Sequence, residues 1–176
     1  MATATITPDQ DTVLAEIFIA APPERVFEAI SNPSQTAKWW GAKGLYRLSE
    51  TTADVRPGGK WRSAGVGDDG TPFHVEGEFL EVDPPRRLVH TWTASYMGPM
   101  KTVVYWDLQP QPVHGLHPAG PRKAGTGTLV KLRHEGFAGA PQAAMSHGEG
   151  WKRVMGWLVA FVEKGETVDT REAISA

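Results

Sequence analysis

Residues 146–165, SHGEGWKRVMGWLVAFVEKG, decide the fold. Trp151, Val154, Met155, Leu158, Val159 and Val162 recur at the i, i+3, i+4, i+7, i+8, i+11 spacing that sets them on one stripe of an α-helix. Ser146 with Glu149 three residues on has the form of a capping box, and Gly165 supplies a stop. The pattern predicts a helix over 147–164, about 27 Å long at 1.5 Å per residue. Its apolar stripe must bury against a partner.

The partner lies upstream. Over 45–137 short β-rich segments are separated by turn residues: Gly58-Gly59, Asp68-Asp69-Gly70, Asp83-Pro84-Pro85 and Gly98-Pro99. That spacing predicts an antiparallel meander of six strands. Alternation sets His90 and Trp92 on one face, then Val104, Trp106 and Leu108, then Val130, Leu132 and His134, while Lys131, Arg133 and Glu135 point the other way. One sheet face is aromatic and the other wet. Within the meander, 109–127 is rich in Pro and Gly and reads as an extended hairpin loop. Before it, 13–20 reads as a strand and 22–30 as a short helix presenting Val26, Phe27 and Ile30. Asn32-Pro33 reads as the cap and first residue of a second short helix through Trp39-Trp40, closed by Gly41 and Gly44. Residues 1–12 and 166–176 read as tails, 1–12 flexible, around a single domain over 13–165. The fold class is α+β: a curved antiparallel sheet wrapped around a long C-terminal helix, with two short helices after the first strand.

With 176 residues, 40% of them hydrophobic, the chain can bury a core without disulfides or metal. It has no cysteine, which removes thiol catalysis, cysteine-ligated zinc and dithiol redox chemistry. Eighteen basic against 20 acidic residues leave a net charge of −2 and no basic field, so nucleic acid is not an expected partner. The N-terminal MATATITPDQDT lacks the basic start and apolar run of a signal peptide, and no stretch reaches the roughly 20 apolar residues of a membrane span. The expectation is a cytoplasmic chain without membrane insertion.

Several constellations read as structure. Residues 65–70, GVGDDG, match G-x-G-x-x-G as text, but strands flank them on both sides and two aspartates would repel phosphate, so they form a hairpin turn. Phe73, Val75 and Phe79 alternate with His74, Glu76 and Glu78, which puts the polar set on the outer face. Arg56 reads as a surface partner of Asp54. His114-x-x-His117 has no third ligand at metal spacing, and no Ser-His-Asp order accompanies an oxyanion site. Trp39 pins the short helices to the core, whereas Trp40 fits either that role or the wall of a pocket mouth. Of His74, His90 and His134, the histidines near the interior, His134 is the foremost candidate for acid–base or hydrogen-bonding work.

The residues also carry a resemblance. Ala21-Pro22-Pro23-Glu24-Arg25-Val26-Phe27 resembles the first-helix entry of the START-like superfamily, also called SRPBCC or Bet v-like. Trp39-Trp40-Gly41, residues 53–61 (ADVRPGGKW), Pro84-Pro85-Arg86-Arg87-Leu88 with Thr91-Trp92, and Gly150-Trp151 resemble its branch homologous to the C-terminal domain of the heat-shock-protein-90 ATPase activator. The resemblance spans about 13–165 and implies a helix-grip fold with a mostly apolar cavity between sheet and helix. Relatives include lipid carriers, hormone receptors, cyclases, aromatases and oxygenase subunits, so the fold alone selects no activity. Chaperone activators carry a further docking domain for which this chain has no room, so chaperone binding is not expected; pairing among relatives implies a homodimer.

Three functions follow from the resemblance: binding of a small hydrophobic, aromatic or lipid-like molecule; cyclase- or aromatase-like catalysis in the same cavity; or a chaperone-accessory or protein-interaction role. The expected pocket comprises Trp40, His90, Trp92, Trp106, Leu132, His134, Trp151, Met155 and Leu158, with His134 or His90 supplying one orienting hydrogen bond. No cofactor and no metal are expected, and no residue is assigned to catalysis.

Overall fold

Residues 1–12, read as a tail, contain the first strand. β1 (Thr3–Ile6) runs antiparallel to β2 (Thr12–Ile19), with Thr3 opposite Glu16 and Ile6 opposite Val13. Threonine hides the signal: Thr3 and Thr5 look like a polar tail by composition yet are good strand formers, and Ala4 and Ile6 alternate with them against the core. β2 shows the expected alternation, with Val13, Ala15, Ile17 and Ile19 buried and Leu14, Glu16 and Phe18 outward.

A computed structural model describes residues 1–113 and 125–173. After β2 come α1 (Pro23–Ser31) and α2 (Pro33–Trp39), the second capped as predicted, Asn32 Oδ1 accepting from the Ser34 N–H at 3.0 Å. Then follow β3 (Gly41–Ala42), β4 (Tyr46–Ala53), β5 (Lys60–Gly67), β6 (Pro72–Asp83), β7 (Arg87–Ala94), a 3₁₀ turn at Ser95–Met97, β8 (Thr102–Val113), β9 (Gly125–Glu135) and α3 (Pro141–Lys164). The strands form one antiparallel sheet in the order β1-β2-β9-β8-β7-β6-β5-β4-β3, and β4–β9 are the six of the meander. Register shifts at Leu48/Glu50 and Phe79/Glu81 bend the sheet. The architecture is the helix-grip fold.

The inward parities hold. Leu88, His90 and Trp92, then Val104, Trp106 and Leu108, then Val130, Leu132 and His134 are all buried. On β6, Val75 and Phe79 are buried, while Glu76 on the other face pairs with Arg62 at 3.7 Å and Glu78 pairs with Lys60. Arg56 pairs with Asp54 at 2.7 Å, and Trp39 is fully buried with its indole N–H on the Ala29 carbonyl at 2.9 Å.

Three further boundaries differ from the sequence reading. The ladder of β8 and β9 runs on from Gln109↔Leu129 to Val113↔Gly125, so much of the expected loop is strand. Pro110 and Pro112 are tolerated because β7 pairs with β8 only up to Asp107, and their missing N–H groups fall on the side of Leu108 N–H, where no strand continues. His114 and His117 lie outside the described residues. α3 starts at Pro141, six residues before the expected start; Pro141 at the first helical position pre-sets φ, and no side chain caps the end. Ser146 and Glu149 are therefore mid-helix, and Glu149 pairs with Lys152 at 3.0 Å instead of closing a capping box. The expected stop holds: Gly165 is left-handed at φ 70°, with its N–H on the Phe161 carbonyl at 2.9 Å.

The third difference is the C-terminal tail. Val168 and Arg171 are buried; Val168 N–H donates to the Lys38 carbonyl at 2.9 Å, and Arg171 donates to the carbonyls of Trp39, at 3.1 Å, and Gly41. A short polar stretch with one valine carries no periodicity, so its docking on α2 is invisible in the sequence. No helix among the described residues is long and apolar enough to cross a membrane.

Candidate functional site

Bending sets the site. α3 lies closest to β1 and β2, and the twisted sheet carries β4–β7 away from it. The space left is a cavity of about 720 Å³. Its walls are Tyr46 and Leu48 from β4, Trp61 and Ser63 from β5, Phe73, Val75 and Phe79 from β6, Leu88, His90 and Trp92 from β7, and Trp106 from β8. Trp40 and Tyr96 close one side; His147, Trp151, Arg153 and Val154 of α3 form the roof.

Five indoles frame this space. Trp92 is central, with ring centroids 5.5 Å from Trp61, 5.7 Å from Trp151 and 6.3 Å from Trp40; Trp106 meets Trp151 edge-on at 5.5 Å. Trp61 fits because residue 77 is glycine: a Cβ there would lie 2.7 Å from the Trp61 Nε1 and 2.1 Å from the Thr91 carbonyl oxygen. The indole crosses β6 over Gly77 and donates to that Thr91 oxygen at 3.3 Å.

Hydrogen bonds fix the tautomers of the inner histidines. Trp106 Nε1–H donates to His90 Nε2 at 3.2 Å, so the His90 proton sits on Nδ1 and goes to the Thr91 carbonyl at 3.1 Å. Trp151 Nε1–H donates to His134 Nδ1 at 3.0 Å, His134 Nε2–H donates to Thr102 Oγ1 at 2.6 Å, and that hydroxyl donates to the Trp92 carbonyl at 3.1 Å. Both rings are saturated. Burial pushes His90 down to about 4, and burial, followed by the nearby His147 and His90, pushes His134 well below its ordinary value. Each is neutral at pH 7 and has no lone pair or proton left for a ligand.

Two other groups have what those lack. His147 Nδ1–H bonds its i−4 carbonyl, Ala143, at 2.8 Å, which leaves Nε2 as a buried acceptor without a partner. Burial lowers this histidine's pKa too, which favours the neutral ring with that lone pair. Trp92 Nε1–H is a buried donor without a partner. The two rings meet edge to face with centroids 6.3 Å apart, and both residues line the cavity. Trp92 belongs to the β7 wall and His147 to the α3 roof, and both of these polar atoms are buried.

Residues 20–115 match the model of the family described as Activator of Hsp90 ATPase homolog 1-like protein. The chain belongs to that family. Among solved structures, this Activator of Hsp90 ATPase homolog 1-like chain is similar to a protein of Rhodobacter sphaeroides, with 19% identity, 94% of this chain and 100% of that one covered, and a TM-score of 0.72. It is similar to CalU16 from Micromonospora echinospora at 22% identity, covering 94% of this chain and 85% of that one, with a TM-score of 0.60. It also resembles DynU16, a protein in the dynemicin biosynthetic locus, at 23% identity over 90% of this chain and 49% of that one, with a TM-score of 0.64. At these identities the likeness shows the fold alone. No curated protein matches the chain significantly.

In this Activator of Hsp90 ATPase homolog 1-like fold, the expected site residues divide. Trp40, His90, Trp92, Trp106 and Trp151 line the cavity. Leu132, His134, Met155 and Leu158 do not; they are at most 2% exposed and fill solid core between α3 and the strands nearest it. Parity identified their face correctly, but an inward side chain becomes core wherever the helix is close. His134 and His90, expected to supply an orienting hydrogen bond, are both saturated by protein partners. Tyr46, Trp61, Tyr96, His147 and Arg153 were not singled out as site residues by sequence reasoning. The strand register Trp61↔Gly77 and Pro141 as a helix start were the signals for Trp61 and His147; Arg153 carries none. Among the described residues no group of three metal-ligating side chains converges.

Proposed function

We propose that the chain binds a small, largely aromatic molecule in the cavity between β4–β8 and α3. The observation that carries this reading is a space of about 720 Å³ framed by five tryptophans with no carboxylate among the described residues that line it. That volume falls in the usual range for small-molecule sites, and rigid indole walls lose little entropy when a flat ligand stacks on them.

N-phenyl-1-naphthylamine, whose emission rises in apolar surroundings, serves as the probe. Ser63 lines the cavity from β5 and is buried, so Ser63→Trp places an indole into empty space. The expected outcome is probe binding by the unmodified protein, at least a tenfold loss in Ser63→Trp, and a melting temperature within a few degrees of the parent. Equal affinity in the two proteins would refute this pocket.

A second reading, proton transfer during cyclisation of an aromatic precursor, draws on the free lone pair of His147 and on the setting of DynU16 in a biosynthetic locus. It requires turnover that His147→Phe abolishes. Binding of product-like aromatics without turnover across such precursors would leave the binding reading alone.

A further inference from the structure

Among the described residues the cavity lining contains one permanently ionised side chain, Arg153 at its edge; no described Asp, Glu or Lys lines it, and its two histidines favour the neutral form. Arg153 follows Trp151 by two positions on α3 and is exposed. Among the described residues it makes no ion pair and no side-chain hydrogen bond. The acids nearest to it along the chain are already engaged: Glu149 with Lys152 at 3.0 Å, Glu163 with the Ala20 N–H at 2.7 Å, Glu166 with Arg171 at 2.8 Å.

A second donor lines the same cavity. The Tyr46 hydroxyl accepts from Trp40 Nε1 at 3.0 Å, so its own proton remains to be given, and among the described residues no acceptor takes it. Tyr46 and Arg153 both line the cavity, and the Tyr46 ring meets Trp157, one helical turn beyond Arg153 on α3, edge-on at 5.9 Å. A guanidinium holds a carboxylate through two parallel N–H···O bonds, and a phenol O–H adds a third. A cationic ligand would meet Arg153 and find no acid.

We infer that the ligand of this cavity is an aromatic monoanion, its ring system among the tryptophans and its carboxylate or equivalent acid group held at the mouth by Arg153 and the Tyr46 hydroxyl. The inference rests on the cavity-binding reading and adds the charge and orientation of the molecule.

The test uses two probes with one aromatic body, N-phenyl-1-naphthylamine and 8-anilinonaphthalene-1-sulfonate, which differs by the sulfonate. In Arg153→Gln the ratio of their dissociation constants shifts about tenfold against the sulfonate, the usual size of one charge-assisted contact, while the neutral probe stays within twofold. Arg153→Lys keeps part of the preference, and 2-naphthoate displaces the neutral probe from the parent better than 2-naphthamide does. An unchanged ratio in Arg153→Gln, or an equal loss of both probes, overturns the inference and leaves the cavity reading standing. Failure of 8-anilinonaphthalene-1-sulfonate alone to bind the parent overturns the inference only; failure of N-phenyl-1-naphthylamine to bind the parent, or indifference of both probes to Ser63→Trp, overturns the cavity reading and this inference with it.

Discussion

The two halves of this sheet obey the same alternation and end up as different materials. Toward β1, β2 and β9, inward residues such as Val13, Ile19, Val130, Leu132 and His134 are sealed in the core, as are Met155 and Leu158 of α3. Toward β4–β7, inward residues such as Leu48, Ser63, Val75 and Leu88 face a space of about 720 Å³. The difference is distance from the helix, set by sheet twist and by the bulges at Leu48/Glu50 and Phe79/Glu81. One half supplies the stability that lets the other stay hollow.

The contrast breaks most visibly by truncation. Leu158→Ala, at a site with 0% exposure, should cost about 3 kcal/mol in a denaturant titration while leaving N-phenyl-1-naphthylamine affinity unchanged. Ser63→Trp is its mirror image: binding lost, stability kept. A Leu158→Ala protein that remains as stable as the parent would show that the solid half is not solid.

Acid sharpens the comparison next. His90 and His134 are held neutral in the fold with lowered pKa values, so as pH falls below the ordinary 6.5 the unfolded chain takes up protons first. The contribution of His90 is full above about 6.5 and is lost as pH falls toward about 4, and that of His134 is likewise lost as pH falls. His90 alone then removes about 2 kcal/mol between pH 7 and pH 5. Urea midpoints across that range should show the slope, and His90→Phe should flatten it; a parallel slope in the variant would assign the effect elsewhere.

The smallest effect belongs to the C-terminal clasp. Arg171→Met loses the bonds to the Trp39 and Gly41 carbonyls and the Glu166 ion pair, at an expected cost of 1–2 kcal/mol. Because Arg171 does not line the cavity, probe affinity should not move. A change in affinity would mean that the tail reaches the site.

Much of this was legible in the sequence, and the gaps have causes. The parities of β7, β8 and β9 could be read because their large apolar residues alternate without interruption. β4 looked uninformative because its inward residues, Tyr46, Leu48 and Thr51 among polar neighbours, face a hollow and need not be aliphatic. Leu132, His134, Met155 and Leu158 were placed on the right face at the wrong depth, since periodicity gives direction and not separation. His147 was read as a helix start because Ser146 and Glu149 mimic a cap; Pro141 was the better signal. Arg153 is an ordinary polar residue beside an apolar stripe until the lining is seen to lack any other permanent charge.

The central claim, that the hollow half is where a ligand sits, is open to one direct reading. The chain has seven tryptophans, of which Trp40, Trp61, Trp92, Trp106 and Trp151 line the cavity and Trp39 and Trp157 do not. In a titration of ¹⁵N-labelled protein with N-phenyl-1-naphthylamine, followed on the assigned indole N–H resonances, the five should shift together with one affinity while Trp39 and Trp157 stay in place. Shifts confined to Trp39 and Trp157, or none at all at saturating probe, would contradict the account.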